Sequence, residues 1–274
     1  MNLKITIYTC FLLFFSMVAQ SQESIKGIIL NADNQPISYV NIGVKNKNLG
    51  TVANENGEFL LTIPSEFKND TLSFSCVGYN LLQVPIKQIT STKQNKFYLV
   101  AKENVLQEVV VGTTKPSIKK IGTKSANPFL WGAITSKDGK DIVEVSKLID
   151  IKKPARVQKI HMYLKGITVD TATFRINFYA NEGEIPGSRI YEKSLLFTRS
   201  LSKGWLEINV EDYDIYMEKS FFMAVEFLPK LPGQKYSFAY GGQLGGFTFT
   251  RTNSLGSWYK NKGATASFYV TVKQ

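Results

Sequence analysis

The 274-residue sequence is poor in the side chains that carry metal and nucleophilic chemistry, with one histidine, His161, and two cysteines, Cys10 and Cys76. One histidine and two cysteines cannot fill a four-ligand Cys/His zinc site, and no multi-histidine metal centre can be built from them. A serine nucleophile would have to take His161 as its base, and no orienting carboxylate is recognisable. Paired carboxylates of the glycosidase kind exist at Glu182 and Glu184 and at Asp212 and Asp214, but both pairs lie in turn-like, polar surroundings. The expectation is a non-enzymatic protein without metal or cofactor, and a polysaccharide hydrolase is only a minor alternative.

Long apolar runs are equally scarce. The longest, Ile5 to Val18, follows Lys4 and precedes the small-residue stretch Ala19-Gln20-Ser21-Gln22. It holds roughly 14 residues, whereas a membrane span needs about 20. This is the pattern of a cleavable export signal over residues 1–21, leaving no transmembrane span after cleavage. A periplasmic, outer-membrane-associated or extracellular location follows. Cys76 would then be the only thiol, so no intrachain disulfide forms and the fold must rest on packing. In Thr71 to Cys76 the apolar residues alternate with small polar ones, which places Cys76 on the side of Leu72 and Phe74 as a buried, inert thiol.

The formal charge is +11, and it is unevenly placed. Between Gln22 and Gly112 eight lysines and no arginine meet eight acidic residues; beyond Gly112 nineteen lysines and five arginines face fourteen acids, an excess of ten. Such a step marks a domain boundary, and Thr113-Thr-Lys-Pro-Ser-Ile-Lys-Lys-Ile-Gly-Thr-Lys124 opens a basic linker, assigned to residues 113–127. A basic balance usually raises nucleic acid as a partner, but export argues against it and no recognition motif is present. The remaining readings are an anionic glycan, a phosphate-rich envelope surface, an acidic protein, or a solvated face with no ligand.

From Ile25 to Val111 the pattern has period two. Val40, Ile42 and Val44 alternate with polar or small residues, as do Phe59, Leu61 and Ile63, and Asp33 to Pro36 and Asn54 to Gly57 supply turns. About seven short strands in an antiparallel sandwich fit residues 22–112. Asn54 to Phe59 does not read as a calcium loop, because the first and twelfth ligand positions fall on Val52 and Ile63. The runs Ile25 to Ile29, Gln35 to Ile42, Gly50-Thr51, Asn54 to Phe59 and Val77-Gly78-Tyr79 resemble the carboxypeptidase-regulatory-like domain, over about residues 24–111. That resemblance implies a transthyretin-like β-sandwich with no catalytic role, a module common at the N-termini of outer-membrane TonB-dependent receptors. Leu106 to Gly112 resembles the segment that follows the module in those receptors. Glu108, Val109, Val110 and Val111 are therefore either a partner-pairing strand or the last strand of the domain. No receptor barrel can follow in the residues that remain.

Residues 128–274 also read as all-β. Four inward rows recur: Ile160, Met162 and Leu164; Phe174, Ile176 and Phe178; Leu206, Ile208 and Val210; and Phe221, Met223, Val225 and Phe227. Turn signals between them suit a jelly-roll-like sandwich of about eight strands. The runs around Phe174 to Tyr179, Ile185-Pro186-Gly187, Gly204 to Ile208 and Phe221 to Glu226 resemble uncharacterised envelope β-sandwiches akin to carbohydrate-binding modules. If the first two rows pair, their polar sides gather Lys159, His161, Tyr163, Lys165, Arg175, Asn177 and Tyr179 on one exposed face. Rings that stack on sugars and cations that bond carboxylates are what an acidic glycan requires. The aromatic tip Phe247-Thr248-Phe249 to Trp258-Tyr259 reads either as strand and core or as a binding loop. The expected function is an exported envelope protein with a docking module and a basic module that binds a glycan or an envelope partner. The alternative is a structural accessory subunit of an outer-membrane uptake complex.

Overall fold

A computed structural model describes residues 23–90, 93–102, 116–136, 143–191, 193–228 and 236–274. The expected export signal and the Glu108 to Val111 strand lie outside them. Among the described residues there is no α-helix, and no helix is long and apolar enough to cross a membrane.

The first module has strands β1 (Glu23–Leu30), β2 (Asn41–Gly43), β3 (Gly50–Val52), β4 (Glu58–Ile63), β5 (Thr71–Ser75), β6 (Leu82–Pro85) and β7 (Gln94–Tyr98). They form one sheet in the order β4-β1-β7 and a second in the order β3-β2-β5-β6. The period-two residues do what their spacing dictates, since Ile25, Ile29, Ile42, Leu61, Leu72 and Phe74 all enter one core. Phe74 meets Phe97 at 4.3 Å and Phe59 at 5.9 Å, and Gly27 sits under the Phe59 and Phe97 rings, where a Cβ would collide with both. At the Asn54 to Gly57 turn the Asn54 Oδ1 accepts from the Asn56 and Glu58 amides at 3.0 and 2.9 Å, with Gly57 at φ 72°. The asparagine there serves the turn itself. Cys76 packs half-buried against this core, and burial raises its thiol pKa.

The second module has β8 (Ile118–Gly122), β9 (Trp131–Ser136), β10 (Val143–Ile149), β11 (Ala155–Ile167), β12 (Thr171–Asn181), β13 (Pro186–Arg189), β14 (Leu196–Ser200), β15 (Gly204–Asn209), β16 (Ile215–Met217), β17 (Phe221–Leu228), β18 (Tyr236–Arg251), β19 (Tyr259–Ala266) and β20 (Phe268–Lys273). In one layer β11 pairs with β15 and β16 on one side and with β20 and the start of β18 on the other. In the second layer β12 pairs with β13, β14 and β17, and β17 continues through β10 to the end of β18. The sixteen residues of β18 thus belong to both layers and join them, with a register break between Leu244 and Phe247 at Gly245 and Gly246. All four rows read from the sequence pack into the one core between the layers.

Three expectations change. The first module is not wholly antiparallel, because β1 and β7 pair in parallel. The layers of the second module hold thirteen strands and not about eight. Within the stretch read as a linker, Ile118–Gly122 is a strand paired with Phe268–Lys273, and Ser117 and Gln274 exchange backbone hydrogen bonds. Lysine and glycine on that strand suit an exposed edge, so its composition imitates a linker.

The modules touch directly. Arg175 Nη1 donates to Asn41 Oδ1 at 2.9 Å and Nη2 donates to the Tyr39 carbonyl; the Asn46 amide donates to the Leu255 carbonyl at 2.9 Å. Ser257 Oγ donates to the Asn46 carbonyl at 2.9 Å, and a Cβ at Gly43 would strike the Ser254 carbonyl.

On β10, Val145 and Ile149 enter the core, and Lys147 between them donates to Thr265 Oγ1 at 2.7 Å. Burial pushes the Lys147 pKa down to about 8. An unfolded lysine keeps its proton to about pH 10.4, so the folded state binds fewer protons between about pH 8 and 10.4. Lys147 therefore lowers stability most below about pH 8, and the penalty fades as the pH rises to 10.4. Lys147→Met is expected to stabilise the protein at pH 7 by about 1–3 kcal/mol and to lose that advantage by pH 10, as read by urea denaturation.

Candidate functional site

Alternation along β11 puts Lys159, His161 and Tyr163 on the outer face of its layer, and alternation along β12 puts Arg175, Asn177 and Tyr179 on the outer face of the other. β11 and β12 do not pair. The short connection at Thr168 to Asp170 carries the chain from one layer to the other, so the seven polar residues expected on one face are divided between opposite sides of the sandwich.

The β11 face is built in transverse rows. Trp131 is opposite Gly241, Gly241 lies beside Tyr163, and Tyr163 is opposite Trp205. The next row runs Gly122, Tyr269, His161, Glu207, and the one after it Lys120, Thr271, Lys159, Asn209. A Cβ on Gly241 would lie 2.8 Å from Tyr163 Cδ1, so the tyrosine leans over the glycine. Trp205 stands edge-on to Tyr163 at 5.3 Å and to Tyr269 at 4.9 Å, with interplanar angles of 77° and 70°. Trp131 and Trp205, 58% and 38% exposed, therefore flank a lower floor of Tyr163 and Gly241. Three inter-strand steps of about 4.8 Å separate the two tryptophans, roughly 14 Å. Lysines border the floor: Lys159 pairs with Glu207 at 2.7 Å, Lys120 lies over the Tyr269 ring at 5.7 Å, and Lys165 donates to the Pro128 carbonyl.

His161, expected to be exposed, is 3% accessible. Its ring stacks on Tyr269 at 4.0 Å and 9°, Nε2 bonds Thr271 Oγ1 at 2.9 Å, and Nδ1 lies 3.6 Å from Glu207 Oε2. Burial lowers its pKa, Glu207 works against that, and Lys120 and Lys159 reinforce it. The histidine is thus a buried floor support. Trp131, Trp205, Tyr269 and Lys120 were not among the expected site residues; the alternation that sends Leu206 and Ile208 inward was the signal available for Trp205.

Arg175, Asn177 and Tyr179 are buried, Arg175 against the first module, which contradicts their expected place on an exposed face. They form an ionic cluster with two carboxylates, Glu144 and Glu226, that face each other across β10 and β17. Arg175 meets Glu226 at 3.1 Å and Arg251 Nε donates to Glu144 at 2.6 Å. Asn177 Nδ2 donates to Glu144 at 2.8 Å and to Glu226 at 3.2 Å, and Tyr179 OH donates to Glu144 at 2.9 Å. Burial pushes the Tyr179 phenol up to about 12. Trp258 covers Arg251 at 4.6 Å and packs with Phe222 and Phe249, so most of the aromatic tip is packing.

The two sequence-adjacent carboxylate pairs are turn devices. Glu182 accepts from the Ser188 amide and hydroxyl at 2.9 Å, which lowers its pKa, and Asp214, at φ 47°, pairs with Arg156. Among the described residues no group of histidine, cysteine and acidic side chains is arranged for a metal.

Residues 25–111 match the family model described as the CarboxypepD_reg-like domain, so the first module is a carboxypeptidase-regulatory-like domain. No curated protein matches the sequence. The structure is similar to the cysteine protease and lectin-like domains of a surface-layer-associated protein of Clostridium difficile, with a TM-score of 0.41 and 9% identity, over 93% of this chain and 59% of that one. A clostridial cysteine protease after propeptide cleavage gives 0.40 and 10% over 94% and 73%. The VP2 subviral particle of infectious bursal disease virus gives 0.28 and 11% over 93% and 64%.

Because the folded His161 pKa lies below the ordinary value of about 6.5, its contribution to stability is full above that pH and is lost as the pH falls through it. His161→Gln, which can still bond Thr271, is expected to flatten this acid limb in denaturant titrations between pH 7.5 and 5. Arg175→Ala leaves Glu226 buried without its ion partner and is expected to cost about 3–5 kcal/mol in equilibrium unfolding.

Proposed function

We propose that this protein, a carboxypeptidase-regulatory-like module joined to a thirteen-stranded basic sandwich, is an exported, non-catalytic envelope protein that binds an anionic glycan on its β11 face. The observation that carries the reading is the Trp131, Gly241, Tyr163, Trp205 row with its border of Lys120, Lys159 and Lys165. Two exposed tryptophans on strands three inter-strand steps apart suit a short run of sugar rings. Ring faces take the apolar sides of sugars, and ammonium groups take carboxylates or sulfates. The single histidine and the turn roles of the paired carboxylates support a binding role without turnover. The first module serves as the docking unit, held against the sandwich by Arg175.

The test is a glycan array on the full chain, followed by calorimetry on the best binder. Acidic oligosaccharides are expected to bind and their neutral counterparts to bind more weakly. Trp205→Ala should lower affinity by roughly 30-fold, the size of a central aromatic anchor. Lys159→Ala should cost less and reduce the salt dependence. An array without signal, together with co-purification of an outer-membrane uptake receptor, would replace this reading with that of a structural accessory subunit.

A further inference from the structure

The β11 face holds one group that changes charge near neutral pH and that the aromatic row does not use, the imidazole of His161, the chain's single histidine. It lies beneath the surface, stacked at 4.0 Å under Tyr269 with 3% of the residue accessible. Its two nitrogens differ in their partners. Nε2 bonds Thr271 Oγ1 at 2.9 Å, whereas Nδ1 lies 3.6 Å from Glu207 Oε2, which is too long for a hydrogen bond. The other oxygen of the same carboxylate, Oε1, accepts from the Lys159 ammonium at 2.7 Å. Glu207 therefore stands between an ammonium and an imidazole, and it serves the ammonium.

Every element around the imidazole carries a titratable or charged group. On β11 itself these are Lys159 and Tyr163, on β15 Glu207, on β20 Tyr269 and Lys273, and on the edge strand β8 Lys120. The turn Glu211–Tyr213 adds Glu211, which acts on Lys159. Burial opposes a positive charge on the ring, Glu207 favours it, and Lys120 and Lys159 oppose it again. The ring is therefore neutral at pH 7 and takes up a proton only below about 6.5. The hydrogen bond from Lys159 holds the Glu207 carboxyl below the ordinary range, so Glu207 is still a carboxylate at pH 5. Burial raises the Tyr269 phenol, which keeps that ring neutral throughout.

We propose that ligand binding on this face is coupled to a proton on His161: acidification draws Glu207 onto Nδ1, loosens its hold on Lys159, and so tightens the grip on an anionic glycan. The inference rests on the glycan-binding reading of the same face. The movement required is small. Closing 3.6 Å to the roughly 2.8 Å of a charge-assisted hydrogen bond is a side-chain adjustment, and the Glu207 side chain is 49% exposed. At pH 7 the Lys159–Glu207 pair is neutral as a whole. With an imidazolium beside it, two cations share one carboxylate, which leaves a net positive charge next to Lys120. In the reverse direction, an anion bound beside Lys120 and Lys159 offsets the repulsion that keeps the ring neutral. The ligand must then raise the proton affinity of His161 by the same factor as the proton raises the affinity for the ligand.

The experiment uses the full chain and a heparin tetrasaccharide, whose sulfates stay ionised throughout, with calorimetry at pH 7 and pH 5 and constant ionic strength. The affinity is expected to be roughly five-fold higher at pH 5, the low end of couplings between separate groups. His161→Gln, which still bonds Thr271 but cannot take a charge, should give equal affinities at the two pH values. Glu207→Gln, which releases Lys159 at every pH, should bind more tightly than the unaltered chain at pH 7. A second readout needs no variant to fold: the single histidine gives one imidazole signal in NMR, and the tetrasaccharide should move its titration to higher pH. Equal affinities of the unaltered chain at pH 7 and 5, a gain at pH 5 retained in His161→Gln, or a histidine titration unmoved by saturating tetrasaccharide would overturn the coupling and leave the glycan reading in place. No binding at either pH would overturn both.

Discussion

Two carboxylates set opposite each other on a dry sheet face are the constraint around which the molecule is arranged. Glu144 and Glu226 are neighbours across β10 and β17, and both are fully buried. A carboxylate in a dry interior needs cations and donors at hydrogen-bonding distance. Arg251, Arg175, Asn177 and Tyr179 meet that need, and each is placed by a strand whose other side fills the core. Arg175 then reaches beyond its own module to Asn41 and to the Tyr39 carbonyl, so neutralising Glu226 and holding the first module are the work of one guanidinium.

That arrangement gives the second sandwich two unlike faces. The outer side of the β12 layer is charged but closed, by the first module at Arg175 and by Trp258 over Arg251 and Tyr179. The outer side of the β11 layer is open and aromatic, and its polar atoms are largely engaged in supporting rings: Thr271 bonds His161, His161 stacks on Tyr269, and Tyr269 abuts Trp205. Glycine has a specific use there. Gly241 lets the Tyr163 ring lean across its strand, which leaves a low floor between the two tryptophans.

The parts of this plan that were legible in the sequence are those governed by local periodicity. A row such as Ile160, Met162, Leu164 must face one way, and it does; the turns at Asn54 to Gly57 and Glu182 to Ile185 fall between strands as their residue types require. Alternation also separated the polar residues from the core residues on β11 and β12 correctly. Periodicity is silent on which strand lies beside which, and the assumption that consecutive strands pair failed at Thr168 to Asp170, where the chain changes layer. The strand at Ile118 to Gly122 was missed for a related reason, because an exposed edge is selected for lysine and small residues as a linker is.

The sequence by itself determined an all-β chain with a carboxypeptidase-regulatory-like module at the front, its excess positive charge at the back, and too few histidines and cysteines for the usual metal sites. Only the tertiary structure decided that Lys159, His161 and Tyr163 belong to one face and Arg175, Asn177 and Tyr179 to another, and that the first is open and the second closed. The physical reason is that a strand's pattern fixes the side to which each residue points. What lies on that side, whether water, a core or another module, is set by contacts between residues more than a hundred positions apart.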